Sequence, residues 1–144
     1  MAIIEIRHEN ELLAIIIPMS FRKPGINFFT PNTLSQQLAY MEYEPGKVIE
    51  AHVHNLVMRE VTYTQETLFI RSGKLRVDFY TTQREYLQST VLGAGDVILL
   101  IQGGHGFEVI ERLEMVEVKQ GPYLGDQDKT RFEPKLQTDL KFMP

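Results

Sequence analysis

Gly46-Lys47-Val48-Ile49-Glu50-Ala51-His52-Val53-His54 sets two histidines one residue apart at the end of an alternating stretch that a glycine opens. In an extended chain residues i and i+2 project from the same face, so both imidazoles leave one surface together and Glu50 joins them two positions upstream. Further along, Glu66-Thr67-Leu68-Phe69-Ile70-Arg71-Ser72-Gly73 runs from a carboxylate to a glycine, and a Gly95-Asp96 turn leads through Val97-Ile98-Leu99-Leu100-Ile101 to Gly103, Gly104 and His105. Of the four histidines, only His8 lies outside these stretches.

The rest of the chain has the texture of an all-β domain. Strand-like runs are separated at short intervals by Gly, Pro, Asn and Asp, and no segment keeps a long 3.6 period. Strands are expected at Ile3 to Ile6, Leu13 to Ile17, Gln37 to Tyr43, Val48 to His54, Glu66 to Arg71, Lys74 to Tyr80, Gln88 to Leu92, Asp96 to Ile101, Gly106 to Glu111 and Leu113 to Lys119. Lys74 to Phe79 alternates most cleanly, with Leu75, Val77 and Phe79 on one face and Lys74, Arg76 and Asp78 on the other. Val97 to Ile101 is apolar on both faces, which fits a strand covered on two sides or an edge buried at a subunit contact.

The 144 residues suffice for one domain, burying about 68–70% of the surface of the unfolded chain. There are 15 basic and 19 acidic residues, a net charge of −4, and no basic stripe to track a phosphate backbone, so nucleic acid is not an expected partner. With no cysteine, any metal must be held by nitrogen and oxygen. Glu5, Glu9 and Glu11 do not form a basic leader, and the apolar run Leu12 to Ile17 stops at Pro18, so a cytoplasmic address without a membrane span is expected. The turn-rich stretch from Gly121 to Pro134 reads as a closing loop or tail.

On these spacings the chain resembles the cupins. The Gly46 to His54 stretch is similar to the opening of the first cupin motif, Glu66 to Gly73 to its end, and Gly95 to His105 to the second motif. The likeness spans roughly 37–119, with 120–144 as tail. It departs from the pattern in three places: eleven residues, Asn55 to Gln65, separate His54 from Glu66; Ile101 stands where proline is usual; and Gly106-Phe107-Glu108 follows His105 where asparagine is usual. The resemblance implies a double-stranded β-helix, the jelly-roll barrel, holding a divalent metal on His52, His54, Glu66 and His105. Neutral imidazoles and a carboxylate suit Fe, Mn, Ni, Zn, Co or Cu.

Each assignment has a plainer counterpart. The His52–His54 pair suits a solvent face of a sheet, His105 the cap of a glycine-rich turn, and a one-residue slip exchanges Glu66 for Gln65. Glu50 is either a base beside the ligands or a carboxylate in water, with Tyr43 and Glu108 as further candidate bases. Arg59, Arg71, Lys129 and Arg131 are candidates to clamp a carboxylate or phosphate at a barrel mouth. The function expected from the resemblance is metal-dependent isomerisation or epimerisation of a small polar metabolite such as a sugar derivative. Fe-dependent dioxygenation and non-enzymatic ligand sensing are the alternatives. A homodimer is expected, with contacts through Val97 to Ile101 or Leu12 to Ile17.

Overall fold

In the computed structural model, which describes residues 2–134 and 140–142, the chain is built almost wholly from strands. They are β1 (Ile4–His8), β2 (Glu11–Ile17), β3 (Gly25–Phe28), β4 (Ala39–Glu42), β5 (Glu66–Tyr80), β6 (Tyr86–Gly93), β7 (Val97–Leu100) and β8 (Gly104–Lys119), followed by one 3-10 turn at Gly125–Asp128. β3 and β4 form a separate hairpin. The other six make one curled antiparallel sheet in the order β1-β2-β7-β5-β6, with β8 on β5. No helix among the described residues is long and apolar enough to cross a membrane.

The apolar β7 is a central strand, paired to β2 on one side and to β5 on the other. Its residues alternate between two cores: Ile98 and Leu100 pack with Ile6, Leu68, Leu75, Val77 and Phe79, while Leu99 and Ile101 pack with Leu12 and Ile15 on the opposite face. Phe29, Leu34 and Leu38 cover that second core. The reading of Val97 to Ile101 as a strand covered on two sides is met. Both edges of β2 and β7 are hydrogen-bonded within the sheet, and Leu12 to Ile17 and Ile98 to Leu100 are buried, so neither strand is an open edge for the dimer contact expected of it.

Two pairs of expected strands merge. Glu66 to Arg71 and Lys74 to Tyr80 are one strand bent at Gly73, and Gly106 to Glu111 and Leu113 to Lys119 are one strand beside it. The register slips three times between Ile70 and Leu75. Gly73 takes φ +85°, and a Cβ there would lie 2.0 Å from the Arg112 carbonyl oxygen, so the bend accepts no side chain. The bend coils the β5–β8 ribbon. Glu66 and Phe79 stand thirteen residues apart on β5, about 43 Å in a straight strand at about 3.3 Å per residue. Yet His105, which pairs with Phe79, reaches the Glu66 side chain.

The expected strand Val48 to His54 does not form. Residues 47–65 lie outside every strand and almost all are exposed, Leu56 and Met58 fully so. Alternation alone was insufficient there, because a strand needs a neighbour to satisfy its backbone and an apolar face to bury. The β3–β4 hairpin, by contrast, was only half foreseen: Gly25–Phe28 carries no strong β signal and is extended because Ala39–Glu42 pairs with it.

Candidate functional site

Glu66 opens β5 and His105 lies second in β8, and their curled strands bring His105 Nε2 to 2.9 Å from Glu66 Oε1. A carboxylate can only accept, so Nε2–H donates and Nδ1 is left as the nitrogen free to carry a lone pair. The other oxygen, Oε2, lies 3.3 Å from Lys119 Nζ, and the same ammonium is 3.2 Å from Glu117. Register explains the second contact: Glu66 pairs directly with Lys119 across β5 and β8, and Glu117 lies two residues before Lys119 on the same face. The His105 ring stacks on Phe107, centroids 5.3 Å apart.

These contacts set the charge states. The hydrogen bond from His105 holds the Glu66 carboxyl down at about 2 against its burial, with Glu117, the His105 charge and Lys119 adding to the effect. Glu117 moves the opposite way: its hydrogen bond to Glu66, then burial, raises it, as expected of two carboxyls side by side. Burial works against the Lys119 ammonium, but the neighbouring carboxylates outweigh it and the net direction is up. Glu66 is therefore a fixed anion, nearly buried at 8% exposure, that orients an imidazole.

The pair lies on a cleft of about 690 Å³. It is lined by the Gln102–Gly106 turn and Tyr80, by Tyr63 and Thr64, and by residues 128–134 of the C-terminal arm. The arm is held at two points. Thr64 donates to Asp128, and Phe132 packs edge-on against Tyr80 at 5.2 Å, under the Arg84 guanidinium and against Gly104. Gly103 takes φ +78° where the chain turns into β8, with the Tyr80 carbonyl 2.7 Å from where a Cβ would be. The turn that presents His105 thus depends on glycine.

Of the residues singled out by sequence, Glu66 and His105 meet and Gln65 does not join them. Gln65 turns away, its side chain accepting from Ser35 and from the Gln36 amide. His52 and His54 lie near each other, ring centroids 5.2 Å apart, in the exposed 47–65 segment, where His52 Nδ1–H donates to the Glu50 carbonyl at 2.8 Å. Glu50 is exposed, and Glu108 is engaged by Arg76 at 2.5 Å. Among the described residues no three His, Asp or Glu side chains are grouped to hold a metal ion. The four implied ligands thus stand as two pairs, and this arrangement does not fit one ion shared by all four.

Lys119 and Glu117 were missed because nothing local announces them; only the pairing of residue 66 with residue 119 brings them in. No protein-family model, no curated protein and no solved structure matches the chain.

Proposed function

We propose that the protein is a cupin-type enzyme, an isomerase or epimerase of a small polar metabolite such as a sugar derivative, working in the cleft over Glu66 and His105. The observation that carries this reading is the 2.9 Å contact between two residues far apart in sequence, one a buried anion and the other an imidazole on a ligand-sized cleft. A long antiparallel ribbon that coils back on itself supports the double-stranded β-helix as the architecture. With Nε2–H bound to Glu66, His105 Nδ1 takes a proton from the hydroxyl-bearing carbon next to the substrate carbonyl and returns it to the former carbonyl carbon, while the hydroxyl proton passes to the former carbonyl oxygen. Glu66 stabilises the imidazolium between the two transfers, and the Lys119 ammonium adds positive charge beside the developing enediolate.

A divalent transition metal stays part of this reading only if the 47–65 segment carries His52 and His54 onto Glu66 and His105. Metal-dependent melting temperature that H52A and H54A abolish tests that closure. Homodimerisation also belongs to the reading, through surfaces other than β2 and β7, and sedimentation equilibrium measures it. The deciding experiment is NMR of a panel of aldoses and ketoses in deuterated water. An isomerase washes deuterium into the carbon next to the carbonyl, and His105→Gln abolishes this while the fold is retained. Binding of a sugar with no deuterium entry overturns the enzymatic reading and leaves a ligand-binding module.

A further inference from the structure

The geometry points to an anionic ligand, one bearing a phosphate or carboxylate group, anchored by Lys129 and Arg131 of the C-terminal arm in the cleft they share with His105; this rests on the cleft being the functional site. Four basic side chains were candidates for such a clamp, and the structure separates them. Arg59 lies in the exposed 47–65 segment with its guanidinium on the Val57 carbonyl, and Arg71 is exposed on β5. Neither lines the cleft, whereas Lys129 and Arg131 both do.

Three cations, Lys119, Lys129 and Arg131, and three carboxylates, Glu66, Asp128 and Glu133, line it. The formal balance is even, but the two signs are engaged differently. Glu66 is hydrogen-bonded by His105 and paired with Lys119, and Asp128 accepts from Thr64, while Asp128 and Glu133 keep their charges. On the cationic side Lys129 has no ion pair among the described residues, and Arg131 holds only Asp126 at 3.2 Å, with side chains 74% and 86% exposed. An exposed pair of that kind contributes little and yields readily to a better-placed anion. Lys129 is extended, φ −142° and ψ 154°, and Arg131 stands two residues beyond it in the lining of the same cleft. Asp128 and Phe132, the residues that pin the arm, flank them. A guanidinium and an ammonium on one short arm of the cleft suit a bidentate oxyanion more than a neutral polyol.

The test is NMR titration of isotope-labelled full-length protein with glucose, glucose 6-phosphate and glucuronate, following the amides of Gly103 to Gly106. Both anionic sugars are expected to bind at least about tenfold more tightly than glucose, with affinity falling as salt is raised. The double variant K129Q/R131Q is expected to lose that preference with its melting temperature unchanged, since both side chains are on the surface. A preference for one anion alone supports the inference and identifies the group recognised. Equal binding of all three sugars at the cleft overturns it and leaves the cleft reading intact. A preference that survives in K129Q/R131Q also overturns it, and no perturbation by any sugar overturns both.

Discussion

Replacing Glu66 by glutamine removes the charge on which the site is organised, and the consequence is measurable as a pH dependence of stability. The folded carboxyl is lowered from 4.5 to about 2, which at about 1.4 kcal/mol per pH unit corresponds to about 3 kcal/mol. The raised carboxyl of Glu117 works in the opposite sense, because the contact that favours one anion disfavours its neighbour. The expected net contribution is therefore smaller than about 3 kcal/mol. A depressed carboxyl stabilises fully above its unfolded value and progressively less as the pH falls toward its folded value. The loss attributable to this site therefore falls between about pH 5 and about pH 2. Urea unfolding of the wild type and E66Q at half-unit steps across that window reads it directly. The wild-type curve should fall further than that of E66Q, by up to about 3 kcal/mol, and the Glu66 carboxyl carbon should show no titration near pH 4.5 by NMR. Parallel stability curves, or a carboxyl that titrates like a free glutamate, would refute the proposed pairing with His105.

Gly73→Ala should cost about 3 kcal/mol or more by chemical denaturation, because its backbone conformation and the Arg112 carbonyl both oppose a side chain; a cost under about 0.5 kcal/mol would mean that the bend can relax. Ser89 is fully buried, donates to Asp78 at 2.5 Å and is bonded to the Tyr86 hydroxyl at 2.7 Å. Ser89→Ala should therefore cost about 1–3 kcal/mol, and it should speed amide exchange at Lys141, whose N–H donates to Tyr86. Leu68→Ala, at a fully buried position in the main core, should cost about 2–5 kcal/mol. Limited trypsin digestion should cut first after Lys47 or Arg59, in the exposed segment, leaving two fragments that stay associated through the β2–β7–β5 pairing; first cleavage at Lys74 or Arg76 would contradict the placement of the sheet.

Much of the sheet was legible because burial and alternation are local properties of the chain. Leu75, Val77 and Phe79 face the core as their spacing demands, and the doubly apolar Val97 to Ile101 run is central because both of its faces must be covered. Length was less legible, since a bend at Gly73 looks in sequence like the end of one strand and the start of another. Half of the site was legible too. Glu66 and His105 were singled out through the cupin resemblance, but that they touch depends on the coiling of the β5–β8 ribbon, a property of register rather than of any short motif. The segment from Val48 to His54 shows the limit of alternation, which records what a strand would look like but does not supply a partner for it. The hairpin of Gly25–Phe28 is the converse, a strand imposed by its neighbour on residues with little preference for it.

β8 is paired along β5 only, so among the described residues one side of a 16-residue strand presents unused amide and carbonyl groups to solvent. Such an edge is a template on which a foreign strand can add, and its exposed Val109, Val116 and Val118 would reward one that did. Glu108, Glu111, Glu114 and Glu117 recur along the same strand, so an incoming copy would bring glutamates against glutamates. The acidic spacing of β8 thus works against pairing of the ribbon with a second copy of itself.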